Sequence, residues 1–155
     1  MPIFANAASK EQLQLAHSPS LINQLEGTEY EPLIDFSGEL KPLHPHKSLF
    51  PFPRAKETFV NRYTYEAACV AAGSVIDAVK AIYETGDVER VFCAIRPPGH
   101  HCHHAKAHGF CLFNNVAIGA KYALASHSSA VKKILIIDWD VHHGDGTQTL
   151  FYNNA

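Results

Sequence analysis

Residues 134–146 read Ile-Leu-Ile-Ile-Asp-Trp-Asp-Val-His-His-Gly-Asp-Gly, an apolar run that ends abruptly in acids, imidazoles and glycines. The β-branched residues predict a buried strand over residues 132–139. If the strand pattern continues, Asp138, Asp140 and His142 point to the same side, because side chains alternate along a strand. Two carboxylates and an imidazole at the mouth of a strand suit a divalent cation such as zinc.

The composition is that of one soluble globular domain with a substantial core, at 155 residues, 46% hydrophobic and 18% charged. A net charge of −2 gives no electrostatic reason to bind nucleic acid or an acidic membrane. The sequence contains neither a membrane-spanning run nor a secretory signal. The four cysteines form no CxxC pair, which favours a reducing compartment, the nucleus or the cytoplasm. Eleven histidines are the anomaly, and most lie between positions 100 and 143.

The order of predicted elements indicates an α/β fold with a parallel sheet, because both predicted strands are apolar on both faces. Residues 1–62 form a helical and irregular N-terminal part, and residues 63–155 form an α/β part that contains the motifs. The predicted elements are two short helices in 9–26, an irregular proline-rich segment over 27–62, a helix over 63–85, a strand over 90–95, a helix over 113–126, the strand over 132–139 and a helix from 146.

Two histidine-rich loops leave the predicted strands at the same end of the sheet. Ligands bind beyond the carboxyl ends of parallel strands, so the loops after Ile95 and Trp139 are expected to lie across one crevice. In the first loop, His100 and His101 are candidates for general acid–base catalysis, since imidazole exchanges a proton near neutral pH. The alternative is a surface loop with adventitious metal affinity.

The other residues of these loops have competing interpretations. His103, His104 and His108 are expected to be solvated loop or rim residues. Asp145 either caps the following helix or holds a catalytic imidazole in one tautomer. Asp138, deeper than Asp140, is placed to orient a neighbouring side chain.

Three motifs follow one another along the chain. They are Arg96-Pro97-Pro98-Gly99-His100-His101, then Gly109-Phe110-Cys111-Leu112-Phe113-Asn114-Asn115-Val116-Ala117-Ile118, then Asp138-Trp139-Asp140-Val141-His142-His143-Gly144-Asp145-Gly146-Thr147-Gln148. Together, in this order, they resemble the zinc-dependent histone deacetylases. The phenylalanine and asparagine residues of the second motif, and the tryptophan of the third, are similar to those of the class II branch and its bacterial relatives. The resemblance implies the arginase–deacetylase fold, a parallel sheet with helices on both faces, incomplete in this chain.

The resemblance also implies roles for single residues. His100 and His101 match the paired histidines that manage the proton of the attacking water, hydrogen-bonded to Asp138 and Asp145 respectively. Asp140 and His142 match two of three zinc ligands. Asp138 also matches a residue that binds a structural potassium ion. Gly109 and Phe110 match residues that line the tunnel for the acyl-lysine side chain. Glu57 matches a position at the rim of the site where relatives often have an aspartate.

The function that the resemblance implies is zinc-dependent hydrolysis of acetyl-lysine. Its implied partners are acetylated proteins such as histone tails, together with corepressor subunits, in chromatin regulation and transcription repression. The family's third zinc ligand, an aspartate, and its catalytic tyrosine would both fall after Ala155, so this chain alone is expected to be inactive. The alternatives are an inactive fragment with an interaction role, and a deacetylase of small acetylated amines such as polyamines. Guanidine hydrolysis with manganese, as in arginases, fits the histidine pair and the tunnel less well.

Overall fold

The computed structural model describes residues 5–27, 41–42, 58–60, 62–86 and 88–152. Its elements are α1 (Lys10–Leu13), α2 (Pro19–Glu26), β1 (Lys41–Pro42), β2 (Phe59–Val60), α3 (Thr64–Lys80) with a π-helical turn over Ala81–Thr85, α4 (Asn115–Ser126) and α5 (Asp145–Phe151). All the predicted helices are present. Most of the segment 27–62 lies outside the described residues.

The two N-terminal helices begin at the serines that the sequence marks as caps. The Ser9 hydroxyl accepts a hydrogen bond from the Gln12 backbone N–H, and the Gln12 side chain accepts one from the Ser9 N–H, at 3.3 and 2.8 Å. Ser18 caps α2 by accepting from the Leu21 N–H at 3.2 Å, with Pro19 at the first helical position. These bonds satisfy backbone donors that have no partner within a helix, so the helix starts are encoded locally.

A core of small and aliphatic side chains joins the N-terminal helices to α3 and α4. α3 packs closely on α4, since a Cβ atom placed at Gly119 would collide with the side chain of Val75. Burial of this apolar surface is the main stabilising term for the helices. The fully buried members include Leu13, Leu21, Ile22, Leu25, Ala72, Ile76, Phe113 and Ile118.

The strand predictions fare differently. Among the described residues the only strand pair is β1 with β2, antiparallel, with Lys41 opposite Val60. The runs 90–95 and 132–139 form no strand pair there, and several of their apolar side chains are exposed, with Phe92 at 91%, Leu135 at 83% and Trp139 at 93%. The expectations of a buried strand over 132–139 and of a strand over 90–95 were therefore wrong for this chain. A strand needs hydrogen-bonding neighbours, and its own sequence cannot supply them.

Within the described ranges, no helix is both long enough and apolar enough to cross a membrane.

Candidate functional site

The two histidine-rich loops lie against each other, as their positions after the predicted strands indicated. His100 Nδ1 lies 2.8 Å from Asp138 Oδ2, and His101 Nδ1 lies 2.6 Å from Asp145 Oδ1. The two imidazole rings are 4.1 Å apart, centroid to centroid. Both hydrogen bonds implied by the resemblance are therefore present, each joining residues about forty positions apart in the chain.

Glycines allow this close approach of the loops. A Cβ atom at Gly144 would lie 2.5 Å from Asp138 Oδ2, the oxygen that accepts from His100. A Cβ atom at Gly146 would lie 2.5 Å from the carbonyl oxygen of Cys102, directly after the histidine pair. A side chain at Gly146 would push the two loops apart, and one at Gly144 would displace the Asp138 carboxylate, so both glycines are required for the geometry of the site.

The carboxylates of the two pairs are held in their ionised form. Partial burial acts to raise the pKa of Asp138, but hydrogen bonds from His100 and from the Asp140 backbone outweigh it and lower that pKa. Burial likewise opposes ionisation of Asp145, yet bonds from His101 and His103 hold its pKa well below the usual range. An ionised carboxylate only accepts, so it places a proton on Nδ1 of each partner imidazole.

Asp140 and His142 contact each other at the exposed end of the second loop. Asp140 Oδ1 accepts from the His142 backbone N–H at 2.7 Å and lies 3.1 Å from His142 Nδ1. The bond from the His142 backbone is the largest of the effects that lower the pKa of Asp140. A carboxylate and an imidazole suit zinc, but two ligands are fewer than the three protein ligands of a catalytic zinc site. Among the described residues, no third His, Cys, Asp or Glu completes a metal-binding group with this pair.

His103 and His108 belong to the site, contrary to the expectation that they are solvated loop or rim residues. His103 Nε2 lies 2.9 Å from Asp145 Oδ2, and His108 Nε2 lies 3.2 Å from the same oxygen. Partial burial lowers the pKa of His108. His104, the third histidine of that group, is exposed, with its Nδ1 2.8 Å from the Ala16 carbonyl oxygen. The histidine density of the loop was the signal, but spacing alone does not tell which imidazoles turn inward.

The residues predicted to line the substrate tunnel lie beside the histidine pair. Gly109 and Phe110 both have positive φ, 58° and 63°, and a Cβ atom at Gly109 would lie 2.5 Å from His101 Cδ2. Positive φ is rare for a bulky residue and marks a backbone held by its surroundings. The Phe110 N–H donates to Thr58 Oγ1 at 3.3 Å, while its ring is exposed. Glu57 lies outside the described residues.

Solved structures include one with the same arrangement. The HDA15 HD domain aligns with 100% of this chain and 38% of its own chain, at a TM-score of 0.78 and 35% sequence identity. The chain thus has the α/β arginase–deacetylase fold, of which it forms a part.

Sequence comparisons agree with the structural one. The chain is 39% identical to Polyamine deacetylase HDAC10 of Homo sapiens over 96% of its own length and 20% of the relative's. It is 34% identical to Histone deacetylase HDA1 of Saccharomyces cerevisiae, covering 99% of this chain and again 20% of the relative. The chain therefore spans about a fifth of these curated relatives. The Histone deacetylase domain profile matches residues 2–155, and the chain belongs to the histone deacetylase family.

Proposed function

We propose that this chain supplies the proton-transfer residues and two zinc ligands of a protein lysine deacetylase. The observation that supports this most is the pair of adjacent imidazoles, His100 and His101, each hydrogen-bonded through Nδ1 to its own ionised carboxylate. With Nδ1 protonated, the Nε2 lone pair of each ring is available to accept a proton. Amide hydrolysis requires such groups twice, to take a proton from water and to deliver one to the leaving amine.

In this proposal Asp140 and His142 hold the zinc ion together with a third ligand that is not among the described residues. When bound, zinc supplies Lewis acidity toward the acetyl carbonyl. Binding of a structural potassium ion by Asp138 stays a prediction. The Asp138 carboxylate already accepts from His100 and from the Asp140 backbone N–H, at 2.8 and 3.1 Å.

The neighbourhood of Phe110 suits the substrate. Phe110 directly follows Gly109, whose backbone lies against the His101 ring, and the Phe110 side chain is exposed. An apolar side chain is therefore available close to the proposed proton-transfer group. A neutral acetylated lysine side chain is favoured on such a surface, whereas the free ammonium product is disfavoured because it loses hydration. We propose acetyl-lysine in histones or other proteins as the substrate, and corepressor subunits as partners, in the nucleus or cytoplasm.

Hydrolysis of a small acetylated amine is the second candidate. It is favoured by the similarity to a relative named as a polyamine deacetylase, 39% identical over 152 residues. Both candidates use the same proton-transfer residues and differ in the surface around Phe110.

The experiment measures hydrolysis of an acetyl-lysine peptide and of an N-acetylated polyamine by the zinc-loaded chain. Turnover of the peptide that is lost in His101→Ala and retained in His127→Gln, a histidine remote from the site, supports the first proposal. Preference for the polyamine favours the second. A folded, zinc-loaded chain that hydrolyses neither substrate favours the third interpretation, an inactive portion of a deacetylase domain.

A further inference from the structure

Asp145 contacts more imidazoles than the orientation of His101 requires. Oδ1 accepts from His101 Nδ1, while Oδ2 has His103 Nε2 at 2.9 Å and His108 Nε2 at 3.2 Å. The rings of His103 and His108 are stacked with centroids 5.2 Å apart, and those of His101 and His108 are 5.4 Å apart. Three imidazoles therefore converge on one carboxylate.

His108 Nε2 is buried and makes no hydrogen bond among the described residues, although it lies 3.2 Å from Asp145 Oδ2. The distance is short enough for an ion pair, but the ring nitrogen is not oriented to donate a hydrogen bond to this oxygen. A buried polar atom without a hydrogen bond is costly, so this nitrogen is expected to have another ligand. A metal ion between the nitrogen and the carboxylate would use the lone pairs of both.

The distances suit a transition metal. Ligand atoms of His101, His108 and Asp145 all lie within 4.8 Å of one another. Tetrahedral zinc with bonds of about 2.0–2.1 Å keeps its ligand atoms about 3.3 Å apart. The 3.2 Å between His108 Nε2 and Asp145 Oδ2 is already close to that spacing. Imidazole and carboxylate ligands without thiolate favour zinc over softer cations.

We propose that His101, His108 and Asp145, with His103 beside them, form a second metal site that binds Zn²⁺, separate from Asp140 and His142. Zinc bound there engages both His101 and Asp145 and breaks the hydrogen bond between them. Excess zinc therefore inhibits any reaction that depends on the His101–Asp145 pair. This inhibition rests on the proposed deacetylase function, whereas the binding of zinc does not.

Zinc binding to the full 155-residue chain tests the site without reference to activity. Calorimetric titration of the unsubstituted chain is compared with His103→Gln/His108→Gln, with Asp140→Asn/His142→Gln, and with His104→Gln as the matched control from the same loop. We expect the first double variant to lose one zinc equivalent, with affinity falling by more than the roughly 10–100-fold typical of losing one supporting residue. Asp140→Asn/His142→Gln and the control should retain that equivalent.

Cobalt substitution provides a second readout. Co²⁺ in a tetrahedral nitrogen and oxygen site absorbs visible light strongly, and this band should vanish in His103→Gln/His108→Gln with circular dichroism unchanged. Unaltered zinc stoichiometry and cobalt spectra in that variant would overturn the proposal. So would loss of the same equivalent in His104→Gln.

The inhibitory effect is measured separately. If the chain hydrolyses an acetyl-lysine peptide, excess zinc should inhibit the unsubstituted chain. The activity that His103→Gln/His108→Gln retains should not be inhibited. Equal inhibition of both forms contradicts the inhibitory role. Absence of turnover in every form counts against the proposed function but not against the second metal site, because the zinc stoichiometry tests that site independently.

Discussion

The imidazole of His17 is buried in the core with both ring nitrogens engaged. Nδ1 lies 3.0 Å from the His103 carbonyl oxygen, which can only accept, and Nε2 accepts from the Asn114 N–H at 2.8 Å. The ring is therefore the neutral Nδ1–H tautomer. Burial is the main cause that lowers the pKa of His17 from 6.5 to about 4, against hydrogen bonds to the backbone that favour the cation.

This shift makes the stability of the fold depend on pH. Between about 6.5 and about 4 the unfolded chain binds a proton at His17 that the folded chain does not. The free energy of unfolding should therefore fall as pH drops through that window, by up to about 3 kcal/mol, and level off below it. Urea denaturation at a series of pH values measures the fall, and His17→Gln should flatten it. An NMR titration that places the pKa of His17 near 6.5 contradicts the prediction.

At the same scale, the sequence predicted some contacts of the site and missed others. The pairing of His100 with Asp138 and of His101 with Asp145 followed from the motifs. The inward position of His103 and His108 did not, because it depends on the path of a loop whose residues have no periodic pattern. Only the structure shows that these two histidines are half-buried whereas His104 is exposed.

At the scale of elements, Asn114 connects two helices and a loop. Its Oδ1 caps α4 by accepting from the Ala117 N–H at 3.1 Å. Its Nδ2 donates to Thr147 Oγ1 on α5 at 3.0 Å and to the Cys102 carbonyl at 3.4 Å. The residue is fully buried, so its own amide group has no water to bond with in place of these partners.

Asn114→Ala is therefore expected to cost more than an ordinary helix cap. Loss of the cap together with unsatisfied buried groups should lower the free energy of unfolding by about 3 kcal/mol. The matched control is Ser9→Ala at the exposed cap of α1, where about 1 kcal/mol is expected. Chemical denaturation of both variants measures the difference. Equal losses would show that the α4 cap contributes no more than a surface cap.

Helices were predictable from the sequence because their signals are local. Ser9, Ser18 and the alanine-rich periodicity of α3 and α4 specify them within a few residues, and the structure starts α5 at Asp145, one residue before the predicted position. Strand pairing is not local. The runs 90–95 and 132–139 have the composition of buried strands, but only neighbouring strands could bury them, and none pairs with them among the described residues.

At the scale of the whole molecule, the run that leads into the second histidine-rich loop is an exposed apolar surface. Leu135, Ile137, Trp139 and Val141, at alternating positions, are all exposed. The chain covers 38% of the solved HDA15 domain, so most of that domain has no counterpart in the aligned part. Unpaired apolar strands are sites of association between chains. We expect this surface to control the solution behaviour of the 155-residue chain.

Trp139 reports directly on this surface, because it is the only tryptophan of the chain and its side chain is 93% exposed. In dilute solution its fluorescence should resemble that of indole in water and be fully accessible to acrylamide. At higher concentration the emission should shift to the blue as molecular mass by light scattering rises, since association buries the ring. Ile137→Lys should suppress both changes by placing a charge on the surface. Leu124→Lys, a matched substitution on α4, should leave them intact. Blue-shifted, quencher-protected emission from a monomer at low concentration would instead mean that the chain covers this surface itself.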